Sequence, residues 1–565
     1  LNNWSNVLCP GLFAGALWGD EGVIGMRETL PATGYGLELD GRSLGLEDVV
    51  AVARGEAGEC VLSGAAAERV EEANRLKREL IASERPIYGV TTGFGDSAHR
   101  QISPARTAEL QKNILRFLGN GIGPLAPPEV VRATMLLRAN CMARGNSGVR
   151  RELVELLLAF VNHDVLPPIP ERGSCGASGD LVPLSYLGSA LTGHGEVLHR
   201  GEWRPVGEVL EELGLAPLEL EAKEGLAITN GTSFMSAFAA LAVWDAGELA
   251  FVCDLCTAMA SEALLGNRAH FHPFIHENKP HPGQVESARV IRGLLEGSGL
   301  STEIDQVLSG DGLGGRGYRE LERNIQDKYS IRCAPHVNGV LRDTLGWVRR
   351  WVEVEMNSSD DNPLFDAEGR AVHSGGNFYG GHIVQAMDSL KVALASVADL
   401  MDRQLELVVD EKFNNGLTPN LIPFFDPEGP QAGLHHGFKG MQLACSSLVA
   451  EACKLSSPVS VHSRSTEAHN QDKVSMGTIA ARDARTIVEL AQNVAAIHLI
   501  AVCQALDLRG TQSMAPRTRE AHRLVRERVP FLDADRRMEE DIRRVVEMIK
   551  ARELSRALGY QDASA

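Results

Sequence analysis

Leu390-Lys391-Val392-Ala393-Leu394-Ala395-Ser396-Val397-Ala398-Asp399-Leu400-Met401-Asp402-Arg403-Gln404-Leu405-Glu406-Leu407-Val408 decides the fold class. Leu390, Leu394, Val397, Met401, Leu405 and Val408 recur at spacings of three and four, which is one face of a long helix. Residues 488–506 are apolar almost all round, the pattern of a helix buried on every side. Few alternating β-branched runs occur outside short hairpins, and nothing repeats at a fixed period. These patterns predict a mostly α protein with a long central helical bundle, of a kind that subunits can share, and a smaller mixed N-terminal region carrying loops.

Working outward, residues 1–35 carry Gly, Pro and Asn without a period and read as an extension. Residues 36–172 form the mixed region, with helix-like stretches at 65–83 and 103–118 and a Gly/Thr-rich loop at 88–95. Residues 173–510 make the bundle, and 511–565 alternate charge and aliphatic residues as surface helices do. The chain has 565 residues, ample for a large core without a metal or disulfide staple. Lys and Arg number 56 against 74 Asp and Glu, a net charge of -18, so a nucleic acid or an anionic membrane lacks its basic footprint. The most apolar run, 236–253, is interrupted by Asp245 and Glu248. The ten cysteines are scattered, and only Cys253 and Cys256 form a CxxC, so they read as buried, reduced thiols of a cytoplasmic protein.

Two patterns are decoys. Gly310-Asp311-Gly312-Leu313-Gly314-Gly315 matches GxGxxG, but no β-branched strand precedes it and glycine continues to Gly317. It reads as a flexible loop, suited to a lid. His276, Glu277 and His281 are separated by helix-breaking Pro280 and flanked by Pro282, so no metal site is expected.

Gly173-Ser174-Cys175-Gly176-Ala177-Ser178-Gly179-Asp180 carries the chemistry. Taken alone it could be a tight glycine turn between helices. It also permits a backbone reaction. The Gly179 nitrogen can attack the carbonyl carbon of Ala177 and close a five-membered ring. Loss of water then converts Ser178 to a dehydroalanine. The product, a methylidene-imidazolone, is an electrophile that no standard side chain matches.

With this stretch the sequence resembles the histidine, phenylalanine and tyrosine ammonia-lyases and aminomutases, whose prosthetic group is made from Ala-Ser-Gly. Tyr88-Gly89-Val90-Thr91-Thr92-Gly93-Phe94-Gly95, Leu226-Ala227-Ile228-Thr229-Asn230-Gly231-Thr232, Gln326-Asp327-Lys328-Tyr329-Ser330-Ile331-Arg332, Asp361-Asn362-Pro363-Leu364, Gly375-Gly376-Asn377-Phe378 and His469-Asn470-Gln471-Asp472 follow in family order over residues 36–510. The resemblance implies that Ala177, Ser178 and Gly179 form the electrophile, with no metal and no nucleotide. Asn230 would hydrogen-bond the imidazolone oxygen, as an oxyanion hole does. Arg332 would hold the substrate carboxylate with its planar fork, and Asn362 would assist. Tyr88 would be the base for the β-proton. Because free tyrosine has a pKa of roughly 10, that role needs local stabilisation of the phenolate. Tyr329 and Gln326 would orient substrate and electrophile, and Phe378 would pack against the reacting centre. The family assembles its sites from several subunits of a homotetramer, so the same is expected here.

Substrate choice is read from the ring pocket. Phe117 and Leu118, with Leu226 and Leu443, resemble the phenylalanine lyases, since an apolar pocket offers a hydroxyl no partner. Gln471 stands where histidine lyases carry a glutamate, and Glu467 with Lys439 follows the phenylalanine pattern as a possible buried pair. The chain lacks room for the inserted domain of plant and fungal enzymes and looks like the shorter prokaryotic form. The expectation is elimination of ammonia from L-phenylalanine, with some tyrosine turnover, to give trans-cinnamate. A 2,3-aminomutase is the alternative, and a histidine lyase ranks behind both.

Overall fold

The computed structural model describes residues 35–560 except 304, 307–311, 322–323 and 424–427. Nearly all of the expected N-terminal extension and the first two residues of the Gly310–Gly317 loop lie outside the described residues.

Four long helices build the core: Ser233–Ala263, Ala334–Met356, Gly381–Val409 and Gly477–Arg509. The first and last run along each other, and Gly381–Val409 packs on Gly477–Arg509 and on Ala334–Met356. Leu390, Leu394, Val397, Met401, Leu405 and Val408 are all fully buried, so the spacing in the sequence is the face that meets the bundle. Ser233–Ala263 and Gly477–Arg509 are long and apolar enough to cross a membrane, but 89% and 78% of their most apolar windows lie inside the protein. Their charges are paired: Asp245 receives both Arg54 and Arg485, and Asp254 receives Arg342 at 2.6 Å. Helices therefore stay continuous through polar positions that would be costly without partners.

Strands are short and form four two-stranded pairs among the described residues. Leu37–Leu39 pairs parallel with Cys60–Leu62, and Ile122–Leu125 pairs antiparallel with Pro170–Arg172. The second pair delivers the chain to the 173–180 turn. The 65–83 stretch forms helix Gly64–Ala82, its first turn capped by the Ser63 hydroxyl on the amide of Ala66. The 103–118 stretch splits at Pro104–Arg106, a 3₁₀ turn, before helix Thr107–Leu118. In the tail, Pro516–Arg526 and Glu539–Lys550 each bury one face. Six described cysteines are buried, but Cys453, expected inside the bundle, is exposed because it lies on the outer face of Lys439–Leu455.

Candidate active site

The site begins at the turn joining Pro170–Arg172 to helix Leu181–Leu191. Here Ser178 has φ +50° and Gly179 φ +75°. A β-carbon on Gly179 would sit 2.1 Å from the carbonyl oxygen of Gly231, so only glycine fits. The same absence of a side chain leaves the Gly179 nitrogen unhindered for ring closure onto Ala177. The turn is held from two sides. Asp180 donates its amide to Gly231 O at 2.7 Å, and Asn230 donates its side-chain amide to Ser178 O at 3.0 Å. Ser178 O becomes the ring carbonyl oxygen on cyclisation, so Asn230 already points at the atom where charge would accumulate. The tripeptide thus fits the group expected of it.

The Asp180 side chain accepts from Met235 N, Ser174 Oγ and Thr478 Oγ1, and burial pushes its carboxyl up to about 6 despite those donors. Beneath Asn230, Arg138 donates to Asn230 O at 2.9 Å and to Asp360 at 2.7 Å, both side chains being buried. Nearby, Lys223 donates to both oxygens of Asp361 at 2.7 Å, fully buried. The sequence motifs contain Asp180 and Asp361 but not Arg138, Lys223 or Asp360. Asp360-Asp361 directly before Asn362-Pro363 is the one signal that points toward them, because two adjacent acids need buried cations if they sit inside. Removing one member leaves a naked buried charge. Arg138→Met is accordingly expected to lower stability by about 3–5 kcal/mol, read as a fall in the denaturation midpoint.

The Tyr88 loop joins the turn through Gln111. Its Nε2 donates to Gly89 O and its Oε1 accepts from Leu226 N, both at 2.9 Å. Tyr88 is half-buried, and its hydroxyl accepts from Gly95 N at 3.1 Å. Burial raises the phenol pKa, the Gly95 amide lowers it, and the Glu467 carboxylate raises it, for a net upward shift. The depression a base would need is therefore not supplied by this chain's resident groups. Glu467 packs over Gly95 so closely that a β-carbon there would overlap its carboxylate, and Glu467, Ala468 and His469 are all left-handed. The same loop brings in Gln471, which donates to Ser178 Oγ at 3.1 Å and accepts from Thr466 at 3.0 Å.

Other candidates stand apart. Tyr329 is 71% exposed, with the Arg332 guanidinium stacked on its ring at 4.5 Å. Gln326 and Lys439 are exposed and Phe378 is half-buried. Asn362 is buried and accepts from Gly375 N at 2.8 Å. Among the described residues no hydrogen bond or ion pair joins Gln326, Tyr329, Arg332 or Lys439 to Ser178, Asn230 or Glu467. The His276–His281 region is broken into Pro273–Glu277 and Pro282–Leu294, as its prolines predict.

Residues 44–527 match the aromatic amino acid lyase family. Histidine ammonia-lyase of Gloeobacter violaceus is 42% identical, the match covering 91% of this chain and 95% of the relative. Histidine ammonia-lyase of Caldanaerobacter subterraneus is 39% identical over 92% and 97%. Among solved structures, tyrosine aminomutase from Streptomyces globisporus superposes with a TM-score of 0.88 at 36% identity, over 93% of this chain and 98% of that one. Histidine ammonia-lyase from Trypanosoma cruzi gives 0.82 at 31% identity, over 94% and 96%.

These relatives overturn the expectation of a phenylalanine lyase. Within one chain the ring-pocket candidates are unevenly placed. Phe117 is 56% exposed, on the outer face of its helix, while Leu118 alone of the two is buried, and Leu443 is 64% exposed. Gln471 donates to the Ser178 hydroxyl, which leaves on ring formation, and accepts from Thr466, so it faces the turn that carries the reacting centre. Lys439 and Glu467 form no pair among the described residues. What remains is an apolar wall, which discriminates weakly between ring substrates.

Proposed function

Starting from the premise that the chain belongs to the aromatic amino acid lyase family, we propose that it removes ammonia from L-histidine, leaving the imidazolyl acrylate. The observation that carries this reading is that relatives up to 42% identical over almost the whole chain are named for that reaction. Family members are carbon–nitrogen lyases, and they make their electrophile from the tripeptide that stands here as Ala177-Ser178-Gly179. The methylidene-imidazolone supplies an electron-poor alkene that turns an amine into a leaving group.

This chain's residues do the rest. Asn230 stabilises charge on the Ser178 oxygen. Leu118 and Leu226 give the imidazole an apolar wall, and the Glu467 carboxylate accepts from its ring N–H. Tyr88 takes the β-proton; its raised pKa in the chain alone means that the substrate's ammonium, or cations of a neighbouring copy, must stabilise the phenolate. Arg332, steered by Tyr329 and Gln326, binds the carboxylate, with Asn362, Phe378 and Lys439 completing the surroundings. Tyr329 and Gln326 are exposed and, among the described residues, make no hydrogen bond to Ser178, which favours their serving the site of another copy in a homotetramer.

The test is direct. Purified protein is incubated separately with L-histidine, L-phenylalanine and L-tyrosine, and ammonia and organic products are quantified. Histidine is expected to have the highest kcat/KM and to yield ammonia and acrylate in equal amounts; absence of ammonia from histidine contradicts the assignment. Glu467→Gln keeps size and removes the charge. It is expected to lower kcat/KM for histidine by about 10–100-fold, the worth of a charge-assisted hydrogen bond, measured by steady-state kinetics.

A further inference from the structure

Behind the oxyanion side of the site, one hydroxyl stands between two carboxyl groups. Thr232 Oγ1 lies 2.7 Å from Glu355 Oε1 and 2.7 Å from Asp360 Oδ2. A threonine hydroxyl has a single proton to donate, so it satisfies one of these oxygens and must accept from the other. Asp360 already receives Arg138 at 2.7 Å and the Thr232 amide at 2.8 Å. The hydroxyl proton therefore goes to Asp360, and the contact with Glu355 closes only if Glu355 donates.

We propose that Glu355 is a positioning residue held as a neutral carboxylic acid, which through Thr232 and Asp360 locks the 230–232 turn against the Ala177-Ser178-Gly179 segment. The proposal deepens the lyase reading and rests on it, because the locked turn is the one that carries Asn230 and the Gly231 carbonyl. Three elements meet at the acid: its own helix, Ala334–Met356; the Asp360 segment with Arg138 beyond it; and the Thr232 turn, with Asp180 at the start of Leu181–Leu191. Burial and the neighbouring Asp360 and Asp180 charges push the Glu355 carboxyl up to about 7. An ionised Glu355 would aim two like charges at one hydroxyl and leave the turn without its third tether.

Glu355→Gln retains a donor that cannot ionise; Glu355→Ala removes the donor. On the acidic side of neutrality, the infrared difference spectrum of wild type against Glu355→Gln is expected to show a protonated-carboxyl stretch that the variant lacks. Glu355→Gln should stay within about threefold of wild-type kcat, whereas Glu355→Ala should fall about tenfold or more with KM little changed. The Ala variant should also show a smaller fraction of the 177–179 peptide lighter by two water molecules. A spectrum without the Glu355-dependent acid band, or a Gln variant as impaired as the Ala variant, overturns the proposal. Wild-type protein that shows the band and the lighter peptide yet leaves histidine untouched overturns the substrate reading and not this one.

Discussion

Ser178→Ala is expected to fold normally and to lose at least about a thousandfold in turnover, since no remaining side chain can replace the missing electrophile. Alanine and serine share the same backbone preferences, so the left-handed conformation at position 178 is no worse for the variant. The denaturation midpoint should therefore stay close to wild type while ammonia release disappears. The 177–179 peptide should carry its full unreacted hydrogen and oxygen content. Activity and mass change together because one atom, the serine oxygen, must leave for the alkene to exist.

Asn230→Ala is expected to cost about 10²–10³-fold in kcat, the usual loss on removing one oxyanion donor. Asn230 is 2% exposed, and among the described residues its side-chain amide donates to Ser178 O alone. Its Oδ1 has no hydrogen-bond partner within the described chain. The amide is thus aimed at the turn and committed to it, unlike a structural asparagine that satisfies both ends elsewhere. KM should move much less than kcat, because the charge on the Ser178 oxygen develops during reaction and not on binding. An unchanged kcat would show that the contact is merely part of the turn.

Much of this arrangement is legible in the amino-acid sequence. The three-and-four spacing from Leu390 to Val408 reports a buried helical stripe, and the bundle contains it. The Ala-Ser-Gly turn is readable because ring closure demands particular residue types in a particular order. The supporting platform is not. Arg138 and Asp360 are 222 residues apart, and no local pattern announces a pair formed across such a distance. The neighbourhood of Phe117 in the sequence suggests a pocket residue; the ring points outward because Leu118, one position on, takes the buried side of an amphipathic helix. Gln471 has the marks of a substrate selector, and its amide donates to the Ser178 hydroxyl that ring formation removes. Ring specificity is the least legible property because apolar side chains say little about which ring they will meet.

The central claim is that residues 177–179 become the reactive group. Freshly purified, active protein should be digested and the peptide spanning Ala177, Ser178 and Gly179 weighed by mass spectrometry. A peptide lighter than its sequence by two water molecules, in proportion to specific activity, is the predicted result. Recovery of that peptide at its full sequence mass from fully active protein would contradict it.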